Sequence, residues 1–267
     1  MTLSQAAEER FGIKVDPNDV KKLEDYLWET YGGEDAEIID RVFLSGEAAG
    51  YLTVNETYFF REPAHFSFLW DLLPSFEKTG IEICSAAAAA GCEAYSIAML
   101  IETYNRSIAS PLYYHIDAFD VNPKMIEAAC RGVYSERSLR EDGSCFRYMA
   151  NPYLKKTENG YEVDGSLRKN IRFFEHNLME QLPRKPYDLV FFRNAFIYFL
   201  PQYRERVLSN LSSALKEGGI LIMGVSETAE AHHADLAKKY RNDVFYFQNS
   251  GFFDKVTNRR EECFFPG

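Results

Sequence analysis

The sequence predicts an α/β protein in which helices cover both faces of a mainly parallel sheet. Two observations carry this prediction. From about residue 63 onward, short apolar runs rich in β-forming residues alternate with amphipathic stretches at helical spacing. Prolines and glycines lie at several of the junctions, where helices begin and end. Repeated β–α units of this kind place successive strands in parallel, with helices above and below them.

Residues 1–62 predict a small helical N-terminal domain, and residues 63–267 predict the sheet domain. The stretch "VDPNDVKKLEDYLWETYGG" has apolar positions at helical spacing, a proline near its start and two glycines after it. "DAEIIDRVFLSGEAAGYL" is a second helical stretch, and no alternation typical of strands interrupts the two.

The sheet domain divides into apolar runs and the helices that follow them. The predicted strands lie in "IEICSAA", "YYHIDAFDV", "YDLVFFRNAFIYF" and "ILIMGVSE", with a closing pair of strands around Asn249-Ser250-Gly251. The predicted helices are "CEAYSIAMLIETYN", "NPKMIEAACRGVY" and "PQYRERVLSNLSSALKEGG", the last ended by Gly218 and Gly219.

One segment, at about residues 146–172, interrupts this rhythm. It carries Asn159-Gly160 between two extended runs, and this pair favours the positive φ angles of a tight hairpin turn. We therefore expect a small antiparallel β insertion here.

Composition limits the class of protein. The chain has 267 residues with 46% hydrophobic and 26% charged residues, values typical of globular proteins. The N-terminus lacks an apolar core of signal-peptide length, and the five cysteines are scattered, so we expect a cytoplasmic protein. No run approaches 18 apolar residues, which argues against membrane insertion. The net charge of −10 disfavours nucleic acid as a partner. The five histidines show no metal-like clustering, so we expect no metal site.

Ligands of a doubly wound sheet bind beyond the carboxyl ends of its strands. The first strand ends in five alanines, Ala86 to Ala90, followed by Gly91. The next strand ends at Asp120, whose carboxylate either accepts hydrogen bonds from a ribose diol or caps the following helix. A nicotinamide-binding oxidoreductase is disfavoured, because its loop would need several glycines here.

Polar residues also follow the later apolar runs. Asn177 and Arg193-Asn194 come where buried strands should stop, and Tyr198 follows four residues after Asn194. An asparagine amide can pair with an adenine edge, but a lone asparagine is more commonly a turn or cap residue. Tyr198 is equally compatible with a position in the core or at its rim.

The stretch "VNETYFFREP" lies at the boundary between the two predicted domains. Asn55, Thr57 and Arg61 surround the aromatic pair Phe59-Phe60, and they could converge on one ligand. The alternative is a capped helix start whose aromatic residues join the core.

Taken together, these segments resemble the CheR family of chemotaxis-receptor methyltransferases. The resemblance rests on "NETYFFRE", "CSAAAAAGCEAYSIAM", "FDVNPKMIEAACRGVYSERSLR", "FFEHNL", "DLVFFRNAFIYF" and "ALKEGGILIMGVSE", in the family's order over roughly residues 50–245. It implies a Rossmann-like class I methyltransferase sheet that binds S-adenosylmethionine and releases S-adenosylhomocysteine. It also implies a chemotaxis receptor cytoplasmic domain, or a related signalling protein, as the partner.

The resemblance further implies roles for individual residues. Asn55, Thr57 and Arg61 would border the donor and the reaction centre, and Glu93 would face the donor's amino-acid part. Asp120 would hold the ribose, while Asn177 and Leu178 would line the adenine pocket. Arg193 and Asn194 would lie along the donor, with Tyr198 near the methyl group and Ala86 in the small-residue loop. The β insertion corresponds to the place where some family members grip a receptor's tail peptide.

Chemistry fits the implied reaction. A glutamate with a pKa of about 4.3 is ionised at neutral pH, so it can attack a sulfonium methyl group without a strong general base. Catalysis then consists mostly of positioning and desolvation. Arg61 would steer the carboxylate and Tyr198 would orient it.

The sequence departs from the family pattern in two places. Cys92 replaces the first of two acids and Ala94 replaces a proline, although Glu93 is retained. The N-terminal segment is acidic where receptor-modifying members often carry a basic helix. The alternative to an active enzyme is a non-catalytic CheR-like module that binds S-adenosylmethionine or S-adenosylhomocysteine and acts through a protein partner.

Overall fold

The computed structural model describes residues 2–140, 144–183 and 186–250. Its helices are α1 (Leu3–Phe11), α2 (Pro17–Tyr31), α3 (Ala36–Leu44), α4 (Ala49–Leu52), α5 (Pro63–Leu72), α6 (Cys92–Asn105), α7 (Pro123–Arg131), α8 (Arg147–Ala150) and α9 (Pro201–Ala214). Side chains fix where the first three begin, because the oxygens of Thr2, Asp16 and Asp35 accept hydrogen bonds from first-turn N–H groups. None of the described helices is long and apolar enough to cross a membrane.

The strands in the described residues are β1 (Ile81–Ala86), β2 (Tyr114–Asp120), β3 (Val133–Tyr134), β4 (Leu154–Thr157), β5 (Gly160–Val163), β6 (Ile171–Glu175), β7 (Tyr187–Phe192), β8 (Leu215–Met223), β9 (Leu236–Arg241) and β10 (Val244–Asn249). Seven of them form one sheet in the order β6-β2-β1-β7-β8-β10-β9. The first five run parallel, and β10 runs antiparallel to both of its neighbours. The predicted α/β fold is therefore confirmed.

Strand order reverses between β1 and β7. From β1 the chain builds outward through β2 and β6, and from β7 it builds in the other direction through β8. The helices that follow β1 and β7 therefore diverge, and a crevice opens between them at the carboxyl ends of the strands. This position is where a ligand site is expected.

Hydrophobic cores form on both faces of the sheet. Alternate residues of β7 face opposite sides, as the two-residue period of a strand requires. Val190 and Phe192 belong to a core that includes α1–α4 and α9. Leu189 and Phe191 belong to a second core that includes α5 and α6. The N-terminal helices therefore share a core with the sheet itself.

The predicted β insertion is present as a three-stranded antiparallel sheet in the order β3-β5-β4. The hairpin turn falls at Glu158-Asn159, one position before the predicted Asn159-Gly160 pair, because Gly160 is the first residue of β5 and pairs with Thr157. Gly160 is required there, because an added Cβ would lie 2.0 Å from the carbonyl oxygen of Tyr134. The segment before the hairpin is helical, and the pairing with β3 was not anticipated from the sequence.

Two predicted boundaries were wrong. Helix α9 ends at Ala214, and Gly218 and Gly219 lie within β8. There is little space for a side chain at Gly219, because an added Cβ would lie 3.1 Å from the carbonyl oxygen of Tyr187 on the neighbouring strand.

The partner of β10 was also misplaced. It is β9, which precedes it, and the turn between them falls at Asn242-Asp243 rather than around Asn249-Ser250-Gly251. Both turn residues have positive φ, which asparagine and aspartate tolerate well. The predicted second strand beyond residue 250 lies outside the described residues.

Candidate active site

A cleft of about 1030 Å³, including its open mouth, lies at the carboxyl ends of β1, β2 and β7. Ten of the eleven predicted site residues line it: Asn55, Thr57, Arg61, Glu93, Asp120, Asn177, Leu178, Arg193, Asn194 and Tyr198. The exception is Ala86, which is buried at the end of β1, while the next three alanines line the cleft in its place.

The alanine loop brings bare backbone to the cleft. Ala87 and Ala89 have φ angles of 56° and 46°, in the left-handed region that alanine rarely adopts. Such strain persists at functional sites where the surroundings fix the chain. Gly91 starts α6 with a φ of 83°, and an added Cβ would lie 2.8 Å from Ala129 Cβ. Glycine is therefore required at position 91, both for the positive φ angle and because a side chain would clash with Ala129.

Asp120 is held in place by backbone groups. One carboxylate oxygen accepts the N–H of Ala89 at 2.8 Å, and the other accepts the N–H of Asn122 at 2.9 Å. Burial raises the pKa of Asp120, although the backbone hydrogen bonds act in the opposite direction. Asn122 caps α7, accepting from Lys124 N, so Asp120 does not act as the cap. A carboxylate offers about four acceptor positions, which leaves capacity for a diol.

Asn177 is committed to the protein at both ends of its side chain. Its amide nitrogen donates to the carbonyl of Arg10 at 2.6 Å, and its amide oxygen accepts from Met179 N. One N–H and one oxygen lone pair of this amide remain, and these are the groups that could pair with an adenine edge. Leu178, next in the chain, is buried against the same wall.

The chain from the last two residues of α1 to Lys14 forms part of the cleft wall, which sequence reasoning missed. We refer to residues 10–14 as the strap. Phe11 and Ile13 line the cleft. Lys14 N donates to the carbonyl of Tyr198, and Leu200 N donates to the carbonyl of Gly12, each at 2.9 Å. No sequence signal marks these residues, because the contact joins segments almost 200 positions apart.

The two arginines of the cleft have different electrostatic environments. The side chain of Arg193 is only 2% exposed, and it pairs with Glu93 at 2.9 Å and Glu62 at 3.4 Å. Arg61 instead donates to the carbonyl of Glu56 and lies over the Tyr58 ring, 5.4 Å from its centroid. Among the described residues, no carboxylate lies within ion-pair distance of Arg61. Its charge is therefore available to an anion.

Two glutamates that were not predicted as site residues fix the loops around Asn194. Glu62 has a φ of 56° and accepts from Asn194 Nδ2 at 3.0 Å. Burial alone would raise the pKa of Glu62, but Arg193 and the Asn194 amide outweigh it and lower the pKa. Glu227 is fully buried, and burial raises its pKa. Its carboxylate accepts the N–H groups of Asn194, Gly224 and Ile197. Both glutamates lie in the quoted motifs, but nothing in those motifs indicates what they bind.

Cys92 does not disturb the loop. It is completely buried, burial raises the pKa of its thiol to about 12, and a hydrogen bond links it to Thr57. A protonated, buried thiol is chemically inert. Glu93 is held by Ser85 Oγ at 2.7 Å and by Arg193, so its position does not depend on the missing acid.

Comparisons with known proteins agree with this geometry. The family model for the CheR methyltransferase SAM-binding domain matches residues 55–245. A chemotaxis protein methyltransferase of Vibrio parahaemolyticus is 33% identical over 212 residues, covering 77% of this chain and 74% of its own. One from Listeria monocytogenes is 30% identical over 213 residues, covering 78% of each chain. One from Borreliella burgdorferi is 33% identical over 188 residues, covering 66% of this chain and 65% of its own.

The Rossmann-like sheet, with a cleft at its switch point, defines the protein as a methyltransferase that uses S-adenosylmethionine. Within that class, the chain belongs to the CheR family of chemotaxis methyltransferases.

Proposed function

We propose that the protein methylates glutamate side chains of chemotaxis receptor cytoplasmic domains, forming γ-methyl esters. One observation carries this proposal. Arg61 presents a guanidinium without a carboxylate partner, among the described residues, inside the cleft of a methyltransferase. A carboxylate acceptor is the complementary substrate for such a group.

The residues of the cleft fit the donor. S-adenosylmethionine carries a zwitterionic amino-acid part, a sulfonium and a ribose diol, and no phosphate. We assign Glu93 to the ammonium group and Asp120 to the diol, with Asn55 and Thr57 bordering the reaction centre. The alanine loop admits the donor closely, because no side chain there extends beyond Cβ. A phosphate-binding loop would need more glycines.

We assign the adenine end of the cleft to Asn177 and Leu178. Both line it, and Leu178 offers the apolar contact that a base requires. The Asn177 side chain holds the strap through Arg10 and keeps one N–H and one oxygen lone pair for the base.

The reaction needs only positioning from the protein. The bound donor supplies a methyl group on a sulfonium. The acceptor carboxylate forms a bond to that methyl carbon as the carbon–sulfur bond breaks, and the electron pair stays on sulfur. No proton moves, so no general base is required. Arg61 orients the carboxylate and Tyr198, which lines the same cleft, orients the reacting groups.

The environment of the two arginines distinguishes their roles. Arg193 is buried between Glu62 and Glu93, and removing it would leave both carboxylates unpaired. Its role is therefore to hold Glu93 and the loop of Asn194. Arg61 must not bind the acceptor too tightly, because strong ground-state pairing would slow the reaction. Its partial exposure favours a contact of moderate strength.

The test uses methyl-labelled donor with receptor cytoplasmic domains. We expect base-labile methyl esters on glutamate, with a rate at least about a hundredfold lower for Arg61→Ala, a change of roughly 2.7 kcal/mol. Arg140→Ala is the matched control, because Arg140 also lies over the Tyr58 ring, at 4.3 Å, but does not line the cleft. The control should retain most activity.

Calorimetry separates binding from transfer. Asp120→Ala should weaken S-adenosylmethionine binding about tenfold or more, or roughly 1.4 kcal/mol. Donor binding without ester formation on any receptor domain would contradict the proposal, and would indicate a non-catalytic module acting through a protein partner.

A further inference from the structure

Three large aliphatic side chains are exposed on segments that adjoin the cleft. Val54 is 59% exposed and also lines the cleft, so it lies at the edge of the opening. Ile197 is 45% exposed and immediately precedes Tyr198, and Val225 is 68% exposed at the end of β8. We refer to these three residues as the apolar rim.

The carboxylates of Glu227, which is buried, and of Glu62 hold the segments of two rim residues beside that of Arg61. Glu227 accepts the N–H groups of Asn194 and Ile197 from one loop and of Gly224 from the other. Glu62, next to Arg61 in the chain, accepts the Asn194 amide and lies 3.4 Å from Val225 N. The loops that carry Ile197 and Val225 are therefore joined to each other and to the segment of Arg61.

Leaving these aliphatic side chains exposed to water is unfavourable, which argues that they have a function. The carboxylates of Glu62 and Glu227 bind backbone groups of the two loops and so restrain the positions of Ile197 and Val225. Single exposed aliphatic residues are ordinary, but three on segments that adjoin one cleft offer apolar surface that a partner would desolvate. An acceptor carboxylate that reaches Arg61 must bring its flanking residues past this rim.

We infer that the apolar rim docks the acceptor segment, and that it selects glutamates with aliphatic neighbours on the same face. This inference rests on the proposed function and specifies its substrate. In a helix, the neighbours would lie three or four positions from the glutamate. Arg61 contributes the complementary charge, and Val54, Ile197 and Val225 contribute apolar contact on either side of it.

The first test changes the rim and leaves the cleft intact. The double variant Ile197→Ser, Val225→Ser should raise KM for the receptor domain about tenfold, while kcat and the Kd for S-adenosylmethionine stay within about twofold. Tyr113→Ser is the control. Tyr113 is 69% exposed but immediately precedes β2, at the amino ends of the strands and away from the cleft. Its substitution should leave KM unchanged.

The second test changes the acceptor. Two receptor segments that differ only in the neighbours of the methylated glutamate, leucine in one and serine in the other, are compared with the wild type and the double variant. The wild type should favour the leucine segment by about tenfold in kcat/KM, and the double variant should lose that preference.

The outcomes separate the two proposals. If the double variant still forms ester with an unchanged KM for the receptor domain, the rim assignment is overturned and the methyltransferase reaction stands. The same follows if its affinity for S-adenosylmethionine falls as much as its affinity for the receptor domain. Absence of methyl ester on every receptor domain would contradict both the proposed function and the rim assignment. Dissociation of a dimer by the double variant, seen by sedimentation, would assign the rim to a second copy of the chain and overturn the inference.

Discussion

At the scale of single residues, Glu227 shows how the site is held. Its carboxylate lies in the core and receives three backbone N–H groups, from Asn194, Gly224 and Ile197. Glu227→Gln would turn one acceptor into an NH₂ group facing those donors. We expect the free energy of unfolding to fall by about 1–3 kcal/mol, with a parallel loss of methyl transfer. Urea titration and labelled transfer would measure the two effects.

Glu230→Gln is the matched control for Glu227. Glu230 lies three positions further along the chain, but it is exposed and pairs with Arg204 at the surface. Its substitution should change stability by no more than about 0.5 kcal/mol. Equal effects at both positions would mean that the buried hydrogen bonds of Glu227 do not fix the loops.

Residues that line the cleft could be predicted where a strand end gave a local signal. Asp120 and Asn194 follow buried apolar runs, and polar groups at the carboxyl ends of parallel strands converge at one edge. Glu62 and Glu227 lay in the same motifs, but their partners come from other segments, so their roles could not be read from spacing. Ala86 is the last residue of β1 and does not line the cleft, and the sequence does not show where β1 ends and the cleft begins.

At the scale of elements, the strap couples α1 to the site. Gly12 ends α1 with a φ of 69°, and an added Cβ would lie 2.6 Å from Met179 Sδ and 3.2 Å from Tyr203 Cβ. Gly12→Ala should therefore displace Phe11 and Ile13 from the cleft wall. We expect donor affinity to fall at least about fivefold, roughly 1 kcal/mol, and stability to fall by about 1–2 kcal/mol. Calorimetry and thermal unfolding would measure these changes.

Gly32→Ala supplies the control for the strap. Gly32 ends α2 in the same left-handed conformation, with a φ of 77°, but an added Cβ would meet nothing within 4 Å. It should lose about 1 kcal/mol of stability from the strained φ alone and leave donor affinity unchanged. A loss of donor affinity in Gly32→Ala would show that the effect of Gly12→Ala is general destabilisation.

Element types were easier to predict than element boundaries. The β–α alternation was strong enough to give the sheet, because each strand is a compact apolar run. The end of α9 was wrong because "LKEGG" reads as a helix end, whereas the pairing of Leu215 with Tyr187 extends β8 into it. That pairing is tertiary, and local propensity does not reveal it.

At the scale of the whole molecule, the N-terminal helices and the sheet share one core, which includes Phe11, Phe43 and Phe192. Phe11 and Ile13 of the strap belong both to this core and to the cleft wall. A ligand that binds only the folded state stabilises it by about 2.7 kcal/mol at a hundredfold excess over Kd. Because the strap contacts both Tyr198 and Asn177, we expect part of that stabilisation to reach α1.

Hydrogen exchange would measure how far donor binding spreads. With S-adenosylhomocysteine at a hundredfold excess over Kd, amide exchange should slow in the alanine loop and in α1, Leu3–Phe11. It should not slow in the β9–β10 hairpin, whose turn at Asn242-Asp243 lies outside the cleft lining. Asp120→Ala at the same ligand concentration should reduce both effects to about half, because a tenfold weaker Kd leaves only about a tenfold excess, which stabilises by roughly 1.4 kcal/mol. Slower exchange confined to the loop, with α1 unchanged, would mean that the N-terminal helices dock independently of the donor. Slower exchange in α1 would instead make them part of the donor site.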